Sequence, residues 1–183
     1  NILPPKTSNE FRFITVSSFY RHKNLEVLND LIPLLKREGI QCKFTITIPE
    51  SDFEKYFDKD SSYLNNLGPV DIQSCPYLYK MSDALFLPTL VECFSVSYLE
   101  AMKSGIPITT SDYNFSRGIC GDAALYFDPL NPRSIFNVID RIINETEARE
   151  LLIKKGEKRL EQFPSSFERT KSYIKTCESI TRG

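Results

Sequence analysis

The sequence carries no excess of either charge: 23 lysines and arginines stand against 24 aspartates and glutamates, a net charge of −1. That removes the electrostatic case for a nucleic-acid or membrane-surface partner. It has no apolar run near the roughly 20 residues that a membrane span needs. It has no C-x-x-C pair. Its five cysteines, Cys42, Cys75, Cys93, Cys120 and Cys177, are odd in number and widely spaced. Zinc ligation and a disulfide framework are therefore set aside in favour of reduced thiols in a cytosolic setting. There is one histidine, His22, between Arg21 and Lys23, and it is read as an exposed loop residue rather than a base. The start, Asn1-Ile2-Leu3-Pro4-Pro5-Lys6, has the wrong order of basic and apolar residues for a signal peptide. It does not begin with Met, which suggests a segment of a longer protein. Internal repeats and low-complexity tracts are also missing.

What is present is a core-forming composition. Of 183 residues 41% are hydrophobic, which excludes wholesale disorder and fits one domain. Residues 1–10, with two prolines and Thr7-Ser8-Asn9, read as a linker. Strands are expected at Phe11–Val16, Phe44–Ile48, Tyr63–Leu67, Ala84–Leu87, Ile106–Thr110 and Ala124–Phe127. Ala84-Leu85-Phe86-Leu87 is apolar throughout, as a strand buried on both faces should be. Between them, Leu25, Leu28, Leu31, Ile32 and Leu35 form a helical stripe. It is capped by Asn24, kinked or divided at Pro33 and closed by Gly39. Short helices are expected over Ser51–Phe57 and Tyr77–Met81, and a longer one over Ser95–Lys103, stopped at Gly105. The chain then turns helical over about Pro132–Ile143, Thr146–Gln162 and Ser166–Ile180. Strands alternating with helices at short intervals predict a parallel sheet covered on both faces, with right-handed crossovers.

In such sheets ligands sit outside the carboxyl ends of the strands. Three loops leave that edge: Ser17–Asn24, Thr89–Ser95 and Ser111–Arg117. In the second, Ser95 is placed as N-cap, leaving N–H groups from about Val96 to Tyr98 without intrahelical acceptors. The helix dipole adds about half a positive charge there, which suits a diphosphate. Glu100 lies about 7–8 Å down the helix, beyond the phosphate but within reach of a ribose. Glu92 precedes the helix, so two acids bracket one anion site. Lys23 supplies a cation from the first loop and Arg21 a fork. Taken singly, each residue has a plainer reading: the acids and cations as solvated surface, Arg117 as half of a surface salt bridge, and Val96, Leu99 and Met102 as core. The case rests on their shared edge.

At these residues the chain resembles the C-terminal, donor-nucleotide-binding lobe of a GT-B glycosyltransferase of the large retaining family 4, also called group 1. The family pattern is E-G-F-G-L-x-x-x-E-A-M-A-x-G-x-P-V; here it stands as Glu92-Cys93-Phe94-Ser95-Val96 through Glu100-Ala101-Met102 to Gly105-Ile106-Pro107-Ile108. Leu67-Gly68-Pro69-Val70, Tyr79-Lys80-Met81-Ser82-Asp83-Ala84, Leu87-Pro88-Thr89 and Gly121–Pro129 also match, so the likeness runs from Phe11 to Phe163. It implies an α/β, Rossmann-like three-layer sandwich of about six parallel strands, helices on both faces and a helical C-terminal tail. By the same resemblance Glu100 binds ribose hydroxyls and Glu92 holds hydroxyls of the transferred sugar. Lys23 neutralises the leaving diphosphate, and the backbone at Cys93, Phe94, Ser95 and Val96 contacts sugar and phosphate. Four departures stand out. Ser18 replaces an arginine five residues before Lys23, with Arg21 as its substitute. Cys93 and Ser95 replace both glycines of G-F-G, and would be strained if positive φ were needed there. Gly118 takes the place of an acid.

The resemblance implies the domains as residues 11–163 for the nucleotide-sugar lobe, and 164–183 for a helix packing back toward an N-terminal lobe with no counterpart here. It implies a UDP-sugar or GDP-sugar donor as substrate, no cofactor and no metal. A glycan or lipid-linked acceptor would be met through the other lobe. The setting is cytoplasmic, with any peripheral membrane contact belonging to the full-length protein, and polysaccharide synthesis is the expected context. The full-length protein is expected to transfer a hexosyl group, while this lobe alone binds nucleotide without transferring. Two other readings compete: a non-catalytic binding module of the same fold, and a receiver-like signalling domain. The latter needs clustered acids after the first strand, where this chain has serines and cations.

Overall fold

The computed structural model describes residues 3, 6 and 10–181. The expected linker at residues 1–10 falls outside them except for Leu3, Lys6 and Glu10. Leu3 is buried in the core, and Lys6 pairs with Asp83 at 2.5 Å.

Six strands form one parallel sheet: β1 (Phe11–Thr15), β2 (Cys42–Ile46), β3 (Leu64–Asn66), β4 (Ala84–Leu87), β5 (Ile108–Ser111) and β6 (Ala124–Phe127). Their order is β3-β2-β1-β4-β5-β6. All five pairings are parallel, so every strand presents its carboxyl end to the same edge. The chain winds outward from β1 in both directions, and the reversal falls between β1 and β4. Crevices for ligands form at such a point.

Among the described residues seven α-helices pack around the sheet, α1 (Leu28–Arg37), α2 (Glu50–Tyr56), α3 (Cys75–Lys80), α4 (Val96–Ser104), α5 (Asn114–Cys120), α6 (Pro132–Asn144) and α7 (Thr146–Leu160), and an exposed α8 (Ser166–Thr181) follows. One face packs Leu28, Leu31, Ile32 and Leu35 of α1, Phe53 of α2 and Ile135, Phe136, Ile139 and Ile142 of α6. A row of phenylalanines crosses the strands beneath them. Phe13 stacks on Phe44 at 5.0 Å, Phe44 meets Phe86 at 5.1 Å, and Phe86 meets Phe127 at 5.6 Å. The other face packs Leu78 and Tyr79 of α3, Tyr98, Ala101 and Met102 of α4, and Ile119 and Cys120 of α5. Helix α7 straps the two faces together: Leu152 joins the first core and Leu160 packs on the second. Gly156 permits this close crossing, since a Cβ there would meet Met102 Cγ at 3.3 Å.

The structure departs from the sequence reading at four places. Pro33 does not divide the first helix, which runs unbroken as Leu28–Arg37 after two 3-10 turns, Arg21–Lys23 and Leu25–Val27. Asn24 does not cap it: its side chain makes no cap bond and is spent elsewhere. The fifth strand begins at Ile108, because Pro107 contributes only its carbonyl, which accepts from Leu85 N–H at 2.9 Å. Part of the Ser111–Arg117 loop is helix α5, held by buried Ser116, Ile119 and Cys120. Helix α8 buries none of its described residues.

Candidate functional site

The loop after β1 is fixed from both sides of Lys23. The His22 carbonyl accepts from Leu90 N–H at 2.7 Å and from the Thr89 hydroxyl at 3.0 Å. Asn24 sits at φ 55°, ψ 33°, the one positive-φ residue other than glycine among the described residues. Asparagine tolerates that left-handed conformation better than most side chains. Its amide donates to the Pro88 carbonyl at 3.2 Å and the Pro129 carbonyl at 2.9 Å, gathering the loops after β4 and β6 around the loop after β1. Lys23 lies between these two anchors, and its Nζ forms an ion pair with Glu92. Both side chains are mostly buried, at 19% and 15% exposure.

Helix α4 starts just beyond this pair. Ser95 takes the N-cap position with extended backbone, but its hydroxyl makes no cap bond. The N–H groups of the first turn thus lack the capping acceptor that a serine there usually supplies. Cys93 and Phe94 are exposed, as is Val96, while Ser95 is buried. Neither Cys93 nor Ser95 has positive φ, so the replaced glycines cost no backbone strain. Phe94 leans on Phe163 with ring centroids 6.3 Å apart. At the far end, Gly105 (φ 68°) turns the chain so that Ile106 N–H reaches the Ala101 carbonyl at 3.1 Å.

Beneath α4 lies a buried polar relay. The Thr110 hydroxyl donates to the Leu87 carbonyl at 3.0 Å. A hydroxyl has one proton, so the Tyr98 phenol, 2.8 Å from Thr110 Oγ1, is the donor to it. Burial pushes the Tyr98 phenol well above its ordinary range, which keeps that proton in place. Ser116 Oγ donates to the Ser111 carbonyl at 2.6 Å and holds the turn into α5.

Glu100 opens elsewhere. Its Oε2 accepts from the Tyr79 hydroxyl at 2.8 Å, in a groove of about 430 Å³ between α3 and α4 lined by Pro76, Tyr79, Glu100, Lys103 and Ser104. A second depression, about 180 Å³, lies at the carboxyl ends of β1 to β3 and takes in Ser17, Ser18, Thr47 and Pro69. A larger open hollow at the turn from α6 to α7 contains none of the residues singled out by sequence.

The structure therefore joins Lys23 to Glu92, and places Phe94, Ser95 and Val96 at the start of α4. It gives Glu100 a separate partner, Tyr79. Arg21 is exposed and forms no ion pair among the described residues. His22 stacks on Tyr20 at 5.5 Å, and Arg117 is engaged by Asp112, with its guanidinium 4.4 Å above the Tyr126 ring. Sequence reasoning missed the tethering role of Asn24 and the contact of Tyr79 with Glu100. The signals for them were the amide's tolerance of left-handed backbone and a tyrosine within the short helix expected over Tyr77–Met81. Among the described residues no group of three or more His, Cys, Asp or Glu could hold a metal ion. No helix among them is long and apolar enough to cross a membrane.

Comparison with known proteins adds to this geometry. The family model described as "Glycosyl transferases group 1" matches residues 4–159. The O-antigen chain mannosyltransferase B of Escherichia coli is 30% identical over 162 residues, covering 88% of this chain and 36% of that protein. An uncharacterized glycosyltransferase of Methanocaldococcus jannaschii is 30% identical over 94 residues, covering 50% of this chain and 24% of that one. The chain thus spans about a third of the first relative's length and a quarter of the second's. Among solved structures, a sucrose-phosphate synthase from Thermosynechococcus elongatus superposes with a TM-score of 0.76 at 16% identity, over 94% of this chain and 46% of that one. An α,α-trehalose-phosphate synthase from Burkholderia vietnamiensis gives 0.78 at 12%, over 95% and 45%. At such identities these two speak for the fold alone.

Proposed function

We propose, from the premise that this chain belongs to the group 1 glycosyl transferases, that it is the donor-binding lobe of a retaining enzyme. The enzyme would pass a hexosyl group from a UDP-sugar or GDP-sugar to a glycan or lipid-linked acceptor. The observation that carries the reading is the Lys23–Glu92 pair. Two loops from adjacent central strands, β1 and β4, deliver a cation and an acid to one spot where a helix begins.

The chemistry follows from that spot. As the nucleoside diphosphate leaves, negative charge builds on its phosphate oxygens. Lys23 and the free N–H groups of the first turn of α4 meet that charge in fixed positions. An incoming diphosphate competes with Glu92 for Lys23, and Glu92, once released, accepts hydroxyls of the sugar. Glu100, farther down the helix, takes ribose hydroxyls. The acceptor belongs to a second lobe, consistent with the length of the relatives. Mannose is the first sugar to test, since one relative is named a mannosyltransferase. The fold and the unstrained backbone at Cys93 and Ser95 give no ground for preferring a non-catalytic module.

A thermal-shift panel of UDP, GDP, ADP and CDP tests the reading. One or more should raise the melting temperature, and Lys23→Ala and Glu100→Ala should each abolish most of the rise. No shift with any of the four at millimolar concentration would overturn it.

A further inference from the structure

We infer that Tyr79 is a positioning residue for donor binding: its phenol holds the Glu100 carboxylate by one oxygen and so presents the other to the ribose. The inference rests on the nucleotide-site reading above and adds a residue to it. Three observations carry it. The Tyr79 side chain is 1% exposed, so its ring is locked between α3 and the sheet. Its hydroxyl donates to Glu100 Oε2 at 2.8 Å, a hydrogen bond that ties α3 to that acid. Both residues line the same open groove of about 430 Å³, so the Glu100 side chain borders space a ligand can enter.

The geometry is specific. A glutamate has three side-chain torsions, and a half-exposed one samples many rotamers, so fixing it on binding carries an entropic cost. A bond from a fixed donor removes much of that freedom before the ligand arrives. Donors to charged groups also make shorter and stronger bonds than neutral pairs. Burial raises the Tyr79 phenol far above its ordinary range, which favours its protonated, donating form. The spacing explains why the tie is not legible locally: Tyr79 and Glu100 stand on different helices, and only the packing of α3 beside α4 brings them together.

The test is a cycle of two variants and two ligands on the whole chain. UDP and GDP, whichever binds more tightly, is titrated by calorimetry beside its 2′,3′-dideoxy counterpart. Tyr79→Phe keeps the ring and removes only the hydroxyl. It should weaken the ribonucleotide about tenfold, the worth of one hydrogen bond to a charged group. The dideoxy nucleotide should bind wild type and variant alike, because it offers Glu100 no hydroxyl. In a Glu100→Ala background the added Tyr79→Phe change should have no further effect on the ribonucleotide. That arm also answers for a loss of stability in the single variant, which would weaken both ligands in both backgrounds. Equal weakening of the two ligands, or an undiminished effect without Glu100, would reduce Tyr79 to a packing residue. Unchanged ribonucleotide affinity in Tyr79→Phe would overturn the inference while leaving the nucleotide site intact. A wild-type chain that binds neither nucleotide would remove the site reading and the inference together.

Discussion

Across one face of the sheet, Phe13, Phe44, Phe86 and Phe127 pack ring to ring under helices that bury only aliphatic and aromatic side chains. On the other face, the helices bury tyrosines, and their oxygens reach Thr110 and Glu100. Both faces are dry: burial pushes the thiols of Cys42 on the first and Cys120 on the second up to about 12. The difference lies in what the dry interior is used for. The first face yields stability through area and close contact. The second gives up some of that area to place donors beneath the edge where Lys23, Glu92 and α4 meet. The proposed site for a charged donor would need neighbours that are polar and fixed, and a buried, hydrogen-bonded network supplies both.

The comparison can be broken first at Phe86. Phe86→Ala, at a fully buried position touching three other rings, should cost about 3–5 kcal/mol in urea unfolding. Any loss of nucleotide binding should track the unfolded fraction alone. Binding lost by a folded variant would erase the division of labour between the faces.

Next comes pH. A thiol held at about 12 in the folded chain, against an ordinary 9.0, favours the native state fully below pH 9. That preference drains away as pH rises toward 12, because the unfolded chain loses its protons first. The slope steepens above pH 9 and is greatest between about pH 10 and 11, where each thiol should cost roughly 1 kcal/mol per pH unit. Cys42→Ala and Cys120→Ala should each remove a similar share of the thiol-dependent slope in the urea midpoint, with Cys75, also raised by burial, carrying part of the rest. A slope carried by one variant alone would show that the faces are not equally dry.

The smallest change sharpens the contrast. Tyr98→Phe removes the donor to Thr110 and leaves Thr110 bonded to the Leu87 carbonyl. It should cost about 1–2 kcal/mol, a single buried hydrogen bond. Its larger signature should be a weaker nucleotide-induced shift, since α4 loses its tie to β5. An equal cost with an unchanged shift would make the relay merely structural.

Much of this arrangement was legible along the chain. Short apolar strands divided by helices at regular intervals specify a parallel sheet covered on both sides, and the six strands stand within about two residues of their expected places. The start of α4 was legible because Ser95 and Gly105 mark its two ends. Helix α5 was not: Asn114-Phe115-Ser116-Arg117-Gly118-Ile119-Cys120 has weak helix formers and an internal glycine. Its helical state comes from Ile119 and Cys120 entering the core and from Arg159, whose guanidinium donates to the Gly118 and Ile119 carbonyls at 2.6 and 2.8 Å. Asn24 was read as a helix cap for the same reason: a cap is a local role, and its true partners lie 64 and 105 residues away.

Taken alone, the amino-acid order determined the layers, the strand count, the helix that opens toward the edge, and the candidates Lys23, Glu92 and Glu100. Those properties arise from periodicity, turn chemistry and end signals, which act over a few residues. Only the tertiary structure decided which candidates meet. Lys23 goes to Glu92 because His22 and Asn24 pin its loop against the β4 and β6 loops, and Glu100 goes to Tyr79 because α3 lies beside α4. A hydrogen bond requires atoms within about 3 Å, and that distance is set by packing of remote segments rather than by spacing along the chain.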